Sequence, residues 1–341
     1  FSRTMMDTDN PDTTGGAVSN NYNSRRLIRR ILPERRLSNI KFSTKKIIVT
    51  LAIVFFFTTL YFLSFEFLPS TRTMLQGKQT IMPQNRDLVI FTTTFYTSVD
   101  DIRYHMCIST IREAVARSIP IVIVDASPSD EVFSGMIEAG AMVYKQTGTG
   151  RKGVGLREAA IHAKQLDIAT DDTYLCFQEP EKKDMIRHWV VALGQGNGAD
   201  VIMPFRLQSA FLQTYPIEQY HSETFGNLYM DACAREALEK TNSPLVDTYT
   251  GLDWHFGPFS LRAKHLSFWT RYKGDMYDAQ LVPIIHAMRS GLSVQSVTVD
   301  YAAPLEMKDQ EQGNVTFIEK RWNQILELDP RLKQAWKDTL P

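Results

Sequence analysis

Between Leu88 and Pro204 the sequence passes repeatedly from a short apolar, β-branched run to a longer segment with helical apolar spacing. The strand-like runs are Leu88–Phe95, Ile119–Val124, Ala141–Lys145, Thr173–Phe177 and Asp200–Pro204, and the helical segments are Asp101–Arg117, Asp130–Ala139, Leu156–Leu166 and Lys182–Leu193. Strands joined through helices run parallel, so the pattern predicts an α/β fold: a mostly parallel sheet with helices on both faces and ligands at the carboxyl ends of the strands. Beyond Phe205 the pattern loosens into a helix over Ile217–Lys240, a strand-like stretch at Trp254–Leu261, a helix over Leu281–Ser290 and a strand at Leu292–Val299. Thr316–Leu340 reads as two amphipathic helices interrupted at Asp329-Pro330.

A chain of 341 residues that is 43% hydrophobic and 22% charged is neither disordered, collagen-like nor a disulfide scaffold. Lys and Arg balance Asp and Glu at 38 each, so nothing global points to a nucleic-acid partner. The balance conceals an asymmetry. Residues 1–46 carry ten Lys and Arg against four Asp and Glu, and Ile47–Phe65 follows with nineteen residues free of charge. At about 1.5 Å per residue that run nearly crosses a hydrocarbon core of about 30 Å. By the positive-inside rule, residues 1–46 are a basic cytosolic tail, 47–65 an uncleaved single-pass type II membrane anchor and 66–84 a stem, with the body on the lumenal side. A buried core helix is the other reading of 47–65. Asn314-Val315-Thr316 is a glycosylation acceptor pattern compatible with a lumenal body. Cys107, Cys176 and Cys233 form neither a disulfide framework nor a zinc spacing.

Gly148-Thr149-Gly150-Arg151-Lys152-Gly153 spells G-x-G-x-x-G between a strand and a helix. The dinucleotide fingerprint belongs in the first strand-to-helix turn, and two strand–helix units precede this one, which argues against hydride chemistry. A basic turn at a helix start suits a pyrophosphate, with Arg151 and Lys152 supplying charge beside free backbone N–H groups; a solvated basic loop gives the same text. Asp125 ends the second strand, where a carboxylate accepts from a nucleobase or ribose, or else caps the next helix. After the fourth strand, Gln178-Glu179-Pro180-Glu181 offers two carboxylates suited to a shared Mg²⁺ or Mn²⁺ on a diphosphate. Glu-Pro-Glu also starts a helix well.

In this order the features resemble the GT-A glycosyltransferases, particularly the family 2-like branch, over about residues 86–303. The resemblance implies a nucleotide-sugar donor and a glycan or glycoconjugate acceptor. It places Asp125 on the nucleobase, with Thr93, Arg151 and Lys152 on the donor side, and Glu179 and Glu181 at the position that binds the metal–diphosphate. That motif departs from Asp-X-Asp by carrying Glu for Asp. The family's second half would give acceptor contacts at Asp253, Trp254 and His255, and a catalytic base at Asp278, with Asp275 the alternative. On this reading residues 85–310 are a catalytic domain, 311–341 a C-terminal helical extension, and the protein a Golgi transferase. A catalytically inactive glycan-binding scaffold of the same fold is the competing expectation.

Overall fold

The computed structural model describes residues 87–338. The basic tail, the apolar run 47–65 and the stem lie outside the described residues, among which no helix is long and apolar enough to cross a membrane.

β1 (Leu88–Thr94), α1 (Ile102–Ala116), β2 (Ile121–Asp125), α2 (Asp130–Glu138), β3 (Met142–Lys145), α3 (Lys152–Lys164), β4 (Tyr174–Phe177), α4 (Met185–Gln195) and β5 (Val201–Arg206) alternate as the periodicity predicts. Next come α5 (Gln208–Thr214), α6 (Ile217–Lys240), β6 (Phe259–Arg262), α7 (Ser267–Arg271), α8 (Asp278–Arg289), β7 (Val294–Val299), α9 (Leu305–Glu311) and α10 (Val315–Ala335). The strands form one sheet in the order β3-β2-β1-β4-β6-β5-β7. β1 pairs in parallel with β2 and β4, β2 with β3, and β5 with β7. β6 is inserted between β4 and β5, antiparallel to both, so the sheet is mixed rather than uniformly parallel. The strand expected at Trp254–Leu261 accordingly lies later in the chain, and Trp254–Phe256 form a turn that precedes it.

Both faces of the sheet are covered, which is why β4 and the first four positions of β1 and β2 are almost continuously apolar rather than apolar at alternate positions. Leu88 and Ile90 of β1 join a core with Ile111 of α1, Met136 of α2 and Trp189 of α4. Val89 and Phe91 join the opposite core with Leu156 and Ala160 of α3 and Ile284 and Ile285 of α8.

α10 corrects the expected break at Asp329-Pro330, because Pro330 sits inside one continuous helix. A proline there leaves the carbonyl of residue 326 without its helical donor. Leu326 is 69% exposed, so that carbonyl lies on the side where water serves as donor. The other side of α10 buries Ile325, Leu328 and Leu332 as the helix packs on α6 and α8.

Candidate functional site

The connections from β1 to β2 to β3 carry the chain toward one edge of the sheet, and β4 is then laid on the other side of β1. The crevice beyond the carboxyl ends of β1 and β4 is therefore a topological switch point, the place where open α/β sheets bind ligands. Glycines bring α3 to this crevice. A Cβ on Gly155 would sit 2.1 Å from the Thr93 hydroxyl, and one on Gly153 2.3 Å from the Gly274 carbonyl. The glycine-rich run thus serves the close approach of a helix to β1 and to the 274–275 loop.

Lys152, in the first turn of α3, carries its ammonium over the rings of Phe177 (5.4 Å) and Tyr277 (5.0 Å) and within 3.4 Å of Glu179 Oε1. Lys182 approaches the same carboxylate from the other side, 3.6 Å from Oε2, with its ammonium 5.1 Å from the Phe256 ring. Gly257 closes the surround: its φ is +97°, and a Cβ there would lie 2.2 Å from Glu179 Oε1. Burial pushes the Glu179 carboxyl up, but Lys182 and Lys152 outweigh it and hold the group below the usual carboxylate range. Glu181 Oε1 lies 2.6 Å from the Arg103 guanidinium, an ion pair without hydrogen-bond geometry.

These residues do not fit a divalent cation. A hard-oxygen site needs several carboxylate or carbonyl ligands free to turn toward the ion. Here one glutamate lies between two ammonium groups and the other is paired with a guanidinium. Among the described residues no group of three or more His, Cys, Asp or Glu side chains is placed to hold a metal. Glu179 and Glu181, expected to hold the metal, are in this structure two carboxylates in ion pairs.

Asp125 ends β2 in register with Thr94 of β1 and is fully buried. Its Oδ1 accepts from the Thr94 hydroxyl (2.8 Å), the Ser127 N–H (3.1 Å) and the Ser127 hydroxyl (2.5 Å). Its Oδ2 is buried with no hydrogen bond and has the Lys145 ammonium 3.7 Å away. A buried carboxylate oxygen without a donor is costly, and at a sheet's carboxyl edge it is fit for a ligand N–H or hydroxyl.

Other expectations change. Several of the N–H groups foreseen as a phosphate cradle are already taken: Glu158 accepts from the N–H of Thr147 (3.0 Å) and Gly148 (2.7 Å), and both oxygens of Asp275 accept from the Arg151 N–H at 3.0 Å. Asp275 therefore caps α3 across 124 residues of chain and fills the anion position at its start. From that turn the exposed Arg151 guanidinium and the Lys152 ammonium are open to a ligand. Asp278, expected as the base, is 1% exposed and saturated. It accepts from the Tyr272 hydroxyl (2.8 Å), the Arg331 guanidinium (2.5 Å) and the Met276 N–H (3.0 Å). Burial works against its charge, but the Tyr272 and Arg331 hydrogen bonds prevail and hold its carboxyl below the usual range.

The expected acceptor wall is interior. Asp253 receives a bidentate guanidinium from Arg206 at 2.7 Å on each oxygen, while Arg206 also meets Glu223 at 2.8 Å and stacks 3.6 Å from the Phe211 ring centre. Trp254 is buried and donates to Asp231 (2.8 Å). His255 is half-buried, its Nε2 lacks a hydrogen bond, and burial pushes its imidazole below the ordinary value against the pull of Glu223 and Asp253. Asn314 is exposed at the start of α10, where its side-chain oxygen accepts from the Thr316 N–H.

Sequence reasoning missed Lys182, Arg103 and Lys145. Lys182 directly follows Glu-Pro-Glu, so the run already displayed a cation beside its acids. Nothing local marks Arg103, whose partner lies 78 residues later in the numbering.

No protein-family model and no curated relative matches the chain. Solved structures similar to it include a mycobacterial protein at 14% identity, covering 65% of this chain and 70% of that one with a TM-score of 0.42. Glucosyl-3-phosphoglycerate synthase from Mycobacterium tuberculosis, in complex with Mn²⁺, UDP-glucose and phosphoglyceric acid, is similar at 15% identity, 69% and 80% coverage and a TM-score of 0.41. The same enzyme with glycerol 3-phosphate in place of phosphoglyceric acid gives 12% identity, 70% and 77% coverage and 0.41.

Proposed function

We propose that this chain binds a nucleoside-diphosphate sugar at the β1–β4 crevice and transfers the sugar to a hydroxyl-bearing glycan or glycoconjugate. The observation that carries the reading is the buried Oδ2 of Asp125, which has no hydrogen bond and stands at the carboxyl edge of the sheet one strand from the switch point. Asp125 there accepts from the base or ribose, held by its register partner Thr94, while Thr93 faces α3, from whose start Lys152 and Arg151 meet the diphosphate. The test is calorimetric titration of the full chain in detergent with UDP- and GDP-sugars. Asp125→Ala is expected to weaken nucleotide binding by about 1.5–3 kcal/mol, the worth of a hydrogen bond to a charged group, and to leave secondary structure intact. Equal affinity in the variant, or no binding of any nucleotide sugar, sinks the reading.

A second reading, a scaffold that binds the nucleotide or glycan without turnover, draws on the saturation of Asp275 and Asp278. Transfer would need another proton acceptor, so binding of a nucleotide sugar with no transfer to a panel of glycan acceptors distinguishes the scaffold.

The Golgi placement belongs to the same proposal and is supported by the uncharged run 47–65 with its basic flank, and by the exposed Asn314. In sealed microsomes, protease added outside should remove only the tail before Lys46 and leave a body that carries glycan; digestion of the body would reverse the topology.

A further inference from the structure

We infer that the crevice takes its diphosphate on ammonium groups alone, with Lys152 and Lys182 standing where the family resemblance would put a divalent ion. The inference rests on the donor reading for its nucleotide, while the anion site stands on its own geometry. Glu179 and Glu181 are two carboxylates set against three cations, Lys152, Lys182 and Arg103, so the cluster carries one net positive charge before Arg151 is counted. That balance attracts a dianionic phosphate group and repels a second cation. Neither lysine is fully used. The Lys152–Glu179 contact is long at 3.4 Å, and the Lys182–Glu179 contact at 3.6 Å exceeds a hydrogen bond, so most of the three N–H donors on each ammonium remain for a ligand. The rings of Phe177, Tyr277 and Phe256 flank the two ammonium groups, displacing water from them and strengthening their pull on an anion. Gly257 leaves no side chain between Glu179 and its own loop, so the carboxylate that orients both lysines keeps its place.

The experiment uses the full chain in detergent, with inorganic pyrophosphate as the first probe. Calorimetric titration in EDTA should show binding within about twofold of that in Mn²⁺. Lys152→Met and Lys182→Met should each weaken it about tenfold or more, and Lys152→Arg should restore most of the loss, as expected for charged hydrogen bonds. Because a lysine variant can fail to fold, Mn²⁺ is also titrated into the unaltered protein, with and without UDP, and followed by electron paramagnetic resonance; the free Mn²⁺ signal should match that of the same solution without protein. Pyrophosphate binding that requires Mn²⁺, no binding in either condition, or stoichiometric Mn²⁺ uptake abolished by Glu179→Gln would each overturn the inference. If pyrophosphate binds in EDTA while UDP- and GDP-sugars do not, the ammonium site stands and the nucleotide-sugar reading falls.

Discussion

The crevice beyond β1, β2 and β4 and the polar layer under β5 and α8 are both rich in charge, but they differ in how much hydrogen-bonding capacity they leave unused. Around Arg206 the Asp253 carboxylate is filled at short range by two 2.7 Å contacts from the guanidinium and an Asn227 amide at 2.8 Å, with Glu223 a further ion-pair partner at 2.8 Å. Asp278 is equally full, with three donors on two oxygens. At the crevice, Asp125 keeps one oxygen without a donor and the lysines reach Glu179 only at 3.4 Å and 3.6 Å. Saturated polar groups hold a fold together, whereas buried groups with spare valence await a ligand.

The contrast is broken most severely at Asp253. Asp253→Ala takes the bidentate partner from a buried guanidinium, leaving it Glu223 alone, and should destabilise the domain by about 3–5 kcal/mol in chemical denaturation. A loss below about 1 kcal/mol would mean that the saturated layer is not structural. Gly257→Ala probes the boundary between the regions. A side chain at φ +97° that also meets Glu179 should cost about 1–3 kcal/mol and loosen pyrophosphate binding by displacing the carboxylate. Unchanged stability and affinity would show that the crevice tolerates a shifted Glu179. The smallest effect belongs to Arg331→Met. Its guanidinium is half-exposed, so solvent screening limits the expected cost to less than about 1 kcal/mol at neutral pH. The sign follows from the depressed Asp278 carboxyl: the stabilisation is fully present above the unfolded value of about 3.9 and disappears as pH falls through the lower folded value. Denaturation midpoints of the variant and the parent should therefore converge below about pH 4; a gap that persists there would assign the effect to packing.

The first half of the sheet was legible because β1, β2 and β4 are buried on both faces and therefore read as continuous apolar runs between helical periods. Asp125 was legible for the same reason, since it ends such a run. The partners of the acidic residues were not. Asp275 meets the Arg151 N–H 124 positions away, Asp253 meets Arg206 at 47 and Asp278 meets Arg331 at 53, and single-sequence spacing carries no sign of such pairings. Helix-start acids look alike whether they cap their own helix, another helix, or bind a ligand. β6 escaped its correct span because an aromatic turn and an edge of strand share one composition from Trp254 to Phe259.

The Arg331–Asp278 contact also orders events in time. A nascent chain that has emerged as far as Asn314 contains the residues of every described strand, yet Asp278 still lacks its guanidinium and the Arg289 side chain lacks the Ala335 carbonyl it meets at 2.8 Å. The loop from Tyr272 to Asp278, which supplies the cap of α3 beside the crevice, can reach its final electrostatic state only once α10 is delivered. On the ribosome, the residues of the last strand emerge before the helix that completes the edge of the crevice.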